Sequence, residues 1–159
     1  MGINFSNNVS LTEVGGRISA PGRIIQVIET STSSGVNTSS NSPVDLFTSA
    51  SITLSSASNK ILVELHANNR TNDWGDGVWN LYYMDIIHVQ SGTQLSYTGY
   101  VGELTNNIRH VTRTAIHTPG SVGPHSYKCR GWGYYPYSTT FISGADGTVA
   151  YLRLTEIAA

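Results

Sequence analysis

Hydrophobic and polar residues alternate along most of this chain, most clearly from Ala50 to Ala67, ASITLSSASNKILVELHA. Ile52 and Leu54 alternate with Thr53 and Ser55, and Ile61, Val63 and Leu65 alternate with Leu62, Glu64 and His66. A period of two sends successive side chains to opposite faces of a sheet. The stretch therefore predicts two short strands joined by a tight polar turn at Ser56, Ala57, Ser58 and Asn59. The same pattern predicts strands at residues 23–30, 94–101, 110–117, 126–132, 139–143 and 148–157, with a short edge strand at 45–47. Ser/Thr/Asn/Gly-rich residues 31–43 and the sequence NNRTNDWGDG at 68–77 are predicted loops. Val78–Val89 differs, being apolar on both faces. Trp79, Leu81, Tyr83, Ile87 and Val89 share one face, and Tyr82, Met84 and Ile86 the other. Such a strand is central in a sheet, or lies between its own core and a neighbouring subunit.

No window carries a sustained i, i+3, i+4, i+7 pattern with good helix formers. Many short strands without helices predict an all-β fold: an antiparallel β-sandwich of the jelly-roll type, with about eight strands and little or no helix. Residues 1–20 read as a polar arm with isolated apolar residues, Ile3, Phe5, Val9, Leu11 and Val14. Pro21-Gly22 ends it, leaving 21–159 as a single domain.

Charged residues make up only 12% of the 159, against 39% hydrophobic, so hydroxyls and amides supply the polarity. That balance is not a signature of disorder. It suits a β-protein, and also a subunit that hides surface against copies of itself. A net charge of −1 gives no electrostatic footprint for nucleic acid or an anionic membrane. No apolar run approaches the roughly 20 residues of a membrane span, and Met1–Ala20 lacks the pattern of a signal peptide. Met1-Gly2-Ile3-Asn4-Phe5-Ser6 fits the N-myristoylation pattern, which operates only in a eukaryotic setting.

Candidate chemistry is sparse. Cys129 is the single cysteine, so no intrachain disulfide forms; it shares a strand face with Tyr127 and reads as a small buried thiol. Asp73, Asp76 and Glu64 are the carboxylates a glycosidase pair would draw on, but Asp73 and Asp76 lie in a Gly-rich loop where turn-forming carboxylates are ordinary. The 72–77 loop also misses the EF-hand spacing for calcium. His66, His88, His110, His117 and His125 show neither HxH nor HxxxH spacing, so they read as scattered strand and loop residues without metal, although His110 and His117 could be brought together at a trimer axis. Trp74, Trp132, Tyr134, Tyr135 and Tyr137 are aromatics able to stack on sugar faces, or to fill a subunit interface. No residue pattern points to an enzyme, and none implies a cofactor.

Four segments in order carry a family resemblance: PGRIIQV at Pro21–Val27, ITLSSASNKILV at Ile52–Val63, HSYK at His125–Lys128, and LRLTEI at Leu152–Ile157. Together, over about residues 21–159, the chain resembles the small jelly-roll knobs found in tail fibres and on capsids of phages, including cyanophages and other marine phages. The resemblance implies a homotrimeric, non-enzymatic domain exposed on the virion. A short arm before the knob suits a capsid decoration or cement protein whose partners are its own copies and the major capsid protein. On that reading Ile3, Phe5, Val9 and Leu11 anchor the arm, and Trp79, Leu81, Tyr83 and Ile87 are trimer-interface candidates. The second reading is a tail-located receptor-binding knob that grips host surface glycans through the aromatic loops.

Overall fold

The computed structural model describes residues 3–4, 10–14, 17–71, 82–98, 108–133, 139–141 and 149–159. In the arm, β1 (Ile3–Asn4), β2 (Ser10–Val14) and β3 (Arg17–Ser19) form a small antiparallel sheet. Ile3 and Leu11 are register partners in it. The sequence reads here only as a polar arm, because its isolated apolar residues are too scattered to show a period. The rest follows as β4 (Ile24–Thr32), β5 (Val36–Thr38), β6 (Val44–Thr48), β7 (Ile52–Thr53), β8 (Lys60–Thr71), β9 (Tyr82–His88), β10 (Gln94–Thr98) and β11 (Ile108–His117). Then come β12 (Pro124–His125), β13 (Tyr127–Gly133), β14 (Thr139–Phe141) and β15 (Ala150–Ile157). No helix occurs among the described residues.

Two antiparallel sheets face each other. One runs β4-β15-β8 with β11 on the far side of β8, and β14 and β5 extend it where β15 has ended. The other runs β10-β9-β13-β6. The first long strand of the domain pairs with the last, and the middle strands interleave between sheets. These eight strands are ordered as in a jelly roll, the fold class that the pattern predicts, with β5 and β14 added to the first sheet. Between the sheets lie Ile61, Val63 and Leu65 of β8, Leu152 and Leu154 of β15, Met84 and Ile86 of β9, and Tyr127 and Cys129 of β13, all fully buried. β9 is buried along its whole length, as its two-sided apolar pattern predicts. Cys129 is a buried free thiol, and burial pushes its pKa up, so it is chemically quiet.

Three boundaries differ from expectation. β5 lies inside the predicted 31–43 loop, held by a three-residue ladder to β14. β8 runs on to Thr71 because β11 and β14 both supply ladder partners beyond Ala67. The predicted hairpin keeps its turn but not its ladder: β7 pairs with β12, and β8 pairs with β15, β11 and β14. The reason lies in what occupies the turn.

Candidate functional site

The turn is occupied by Glu156. Along the inner face of the first sheet, Gln26, Glu156, Ile61 and His117 form one row across four strands. This row is the mouth of the sandwich. Glu156 is fully buried, yet among the described residues no cation pairs with it. Instead its Oε1 accepts from the Ser55 amide at 2.7 Å, the Ser55 hydroxyl at 2.8 Å and Asn59 Nδ2 at 2.6 Å, and its Oε2 accepts from Gln26 Nε2 at 2.6 Å. Burial pushes the carboxyl up, but the hydrogen bonds from Asn59, Gln26 and Ser55 together outweigh it and hold the group below its ordinary value of 4.5. A charge surrounded by donors replaces the backbone ladder that a simple hairpin would have formed. Asn59 also accepts from the Ala159 amide, which ties the C-terminus to the same turn.

On the other side of Ile61 the mouth is closed by imidazoles. His88 ends β9 and is the register partner of Tyr127 in β13. His117 ends β11, and His125 lies in β12. His88 Nε2 is 3.1 Å from His125 Nδ1, and the His88 and His117 rings are 4.6 Å apart. Tyr127 Oη meets His117 Nδ1 at 2.9 Å. His88 and His125 are only 4% and 3% exposed. Burial first, then the neighbouring His117 and His125 imidazoles, lower the pKa of His88 from 6.5 to about 4. His117 is lowered by burial and by His125. Burial likewise raises the Tyr127 phenol, so it stays protonated.

The protons can be assigned from chemistry. A backbone carbonyl only accepts, so His125 Nε2 donates to Ser121 O at 3.0 Å. With that proton on Nε2, the His125 Nδ1 lone pair faces His88, so His88 Nε2 is the donor. Neutral His88 accepts at Nδ1 from the Ser91 hydroxyl at 2.8 Å. Ser91 accepts in turn from the Thr93 amide at 3.2 Å. The turn that presents Ser91 needs Gly92 at φ 69°, with the Gly92 amide donating to His88 O. One continuous relay runs from Thr93 through Ser91, His88 and His125 to Ser121.

The outer face of the second sheet carries aromatics. Tyr97 and Trp132 lean over Tyr83, with ring centroids 5.6 and 5.2 Å away and 6.0 Å from each other. Tyr97 is 56% exposed, while Tyr83 beneath is 8% exposed. Beside them Arg130 grips buried Asp85 with two guanidinium nitrogens, and Gln94 Nε2 donates to Asp85 at 2.8 Å. On the outer face of the first sheet, His66 stacks on Tyr151 at 4.4 Å, and Arg153 covers Tyr151 at 5.4 Å. A cavity of about 240 Å³ opens there beside His66, Asn68, His110 and Thr112.

Of the residues singled out by sequence, Tyr83, Ile87 and Trp132 fall on the outer face of the second sheet, Ile87 being 5% exposed. Ile3 and Leu11 lie in the arm sheet. Glu64 lies across from Arg153, away from the mouth. Phe5, Val9, Asp73, Trp74, Asp76, Trp79, Leu81, Tyr134, Tyr135 and Tyr137 lie outside the described residues. The histidines are not scattered: three converge, though no metal-binding group forms among the described residues. His110 and His117 point to opposite faces of β11, one exposed and one in the mouth.

No family model matches the chain, and no curated protein sequence does. Similar solved structures come from infectious bursal disease virus. The T13 viral particle is 15% identical with a TM-score of 0.49, over 99% of this chain and 39% of that one. The Gx strain structure is 10% identical with a TM-score of 0.47, over 100% and 46% of the two chains. The VP2 subviral particle is 13% identical with a TM-score of 0.46, over 99% and 46%. The chain thus spans less than half the length of each of these proteins.

Proposed function

We propose that the chain is a non-enzymatic structural protein of a virion, a homotrimeric jelly-roll decoration or cement protein docked on the capsid exterior through residues 1–20. The observation that carries this reading is how the four resembling segments meet. They contribute to β4, to the β7–β8 turn, to β12 and β13, and to β15. Glu156 of the last segment holds Ser55 and Asn59 of the second across about a hundred residues of chain.

Two features support assembly. Ile24, Val27 and Ile116 are 62%, 51% and 66% exposed, and Val27 and Ile116 lie in one row with Thr155 and Leu62 across the outer face of the first sheet, apolar positions that a neighbouring subunit would cover. β1, β2 and β3 pair only with one another among the described strands, and so small a sheet needs a partner surface for stability. Ile3, Phe5, Val9 and Leu11 are the docking residues on this reading, and Trp79, Leu81, Tyr83 and Ile87 the trimer contacts. Because Tyr83 and Ile87 are covered within the chain, such a contact is made through the Tyr97 and Trp132 rings above Tyr83.

The test is to delete residues 2–15 and measure mass and occupancy together. A folded trimer that no longer decorates phage heads is expected. A mass of one or two chains at micromolar concentration refutes the trimer, and wild-type occupancy refutes the anchor. The exposed Tyr97–Trp132 pair favours a second reading, a tail-located knob binding host glycans. Labelling of tails alone, with glycan binding lost on Trp132→Ala, would establish it instead.

A further inference from the structure

The histidine relay does something the virion reading does not require. The connection from Thr118 to Pro124 crosses the open end of the sandwich between β11 and β13. Its attachments are few: β12 makes a two-residue ladder with β7, and the Ser121 carbonyl accepts from His125. Just beyond, Ser126 is fastened firmly, its amide donating to Gln90 Oε1 and its carbonyl accepting from the Val89 amide. The hold on 118–125 therefore runs through this short ladder and through the His125 ring, which meets His88 on one side and the Ser121 carbonyl on the other.

Every element packed on this cluster contributes an identifiable group: His88 and Ser91 from β9 and its turn, His117 from β11, Ser121 from the connection, His125 from β12, and Tyr127 from β13. Among the described residues no carboxylate pairs with any of these imidazoles. The relay can absorb one proton. His88 gains it at Nδ1, Ser91 turns to accept, and His88 Nε2 still donates to His125. A second proton, on His125 Nδ1, would set N–H against N–H where the nitrogens are now 3.1 Å apart. It would also add a second positive charge with no counter-ion, next to His117.

We propose that His88, His117 and His125 form an acid-sensitive latch that holds the 118–125 connection across the mouth of the sandwich, and that acid releases it because the opened imidazoles take up the protons that the closed cluster resists. Release uncovers Ile52, the fully buried register partner of His125 in β7. Ser126 and the β9–β13 ladder act as the hinge, because their bonds do not involve an imidazole.

The full-length protein tests this by imidazole nitrogen NMR and by hydrogen exchange at pH 7.0 and 5.0, corrected for the chemical exchange rate. At pH 7.0 both His88 and His125 should carry their proton on Nε2. Between the two pH values, corrected exchange in 118–125 should rise at least tenfold while 55–59, held by Glu156, stays protected. His88→Gln places a non-titrating donor where Nε2 sits, and it should cut the rise to threefold or less. Equal protection of 118–125 at both pH values overturns the latch. So does an Nδ1-protonated His88 at pH 7.0, or a His88→Gln protein that opens like the wild type. If that variant does not fold, the wild-type tautomers and exchange decide the matter alone.

Discussion

Two buried polar clusters close the same mouth of this sandwich, on either side of Ile61, and they solve the desolvation problem in opposite ways. Glu156 keeps its charge and is surrounded by four donors. Around His88 and His117 the charge is disfavoured instead, and the imidazoles share protons in a relay. Burial disfavours the charged form in both places. What differs is the supply of partners. Ser55, Asn59 and Gln26 offer only donors to Glu156, so the anion wins. The Ser121 carbonyl and neighbouring imidazoles offer acceptors and competing bases, so the neutral rings win. The first cluster is therefore a fixed knot and the second a titratable one.

Removing the knot should have the largest effect. Glu156→Ala leaves the Ser55 amide and the Gln26 and Asn59 side chains without their shared acceptor, and should cost about 3 kcal/mol in denaturant unfolding at pH 7. Glu156→Gln keeps one acceptor oxygen and should cost less. A loss below about 1 kcal/mol for the alanine variant would mean the knot is not the stronger of the two.

Acid should come next. The folded pKa of His88 lies near 4 against 6.5 for the free side chain, so between those values the unfolded chain binds more protons. Stability must then fall as pH falls, by roughly 2 kcal/mol from pH 7 to pH 5. His117, shifted in the same direction, adds to the loss. Urea unfolding of wild type and His88→Gln checks this, with a flatter profile expected in the variant. The smallest effect belongs to the rim of the relay. Tyr127→Phe removes the hydroxyl that meets His117 and should cost about 1 kcal/mol, leaving the Ser91–His88–His125 relay and its tautomers unchanged.

Much of the scaffold was legible in the sequence because it depends on local period. Alternation at 61–65 marks β8, the two-sided run at 82–88 marks a central strand, and the shared face of Tyr127 and Cys129 comes out buried as expected. The mouth was not legible. His88, His117 and His125 are separated by 29 and 8 positions, spacings that match no ligand or relay motif and become neighbours only when the two sheets close. Glu156 looked like an ordinary strand residue, since nothing local shows that a turn 101 positions earlier supplies its donors. The same blindness explains the misread hairpin. Alternation on both sides of Ser56–Asn59 predicts two paired strands, whereas β7 pairs with the distant β12 and the turn is held by the distant Glu156.

The most direct test of one mouth with two titrating clusters is the unfolding free energy of the wild type, His88→Gln and Glu156→Gln followed from pH 8 to pH 3. Glu156 is held below its ordinary 4.5, so its contribution is present above that value and is lost as pH falls through the lower folded value. The wild type should therefore weaken in two stages, one between about pH 6.5 and 4 and another below. His88→Gln should remove most of the first stage and keep the second, and Glu156→Gln the reverse. A single decline confined below pH 4.5, unchanged by His88→Gln, would contradict the account.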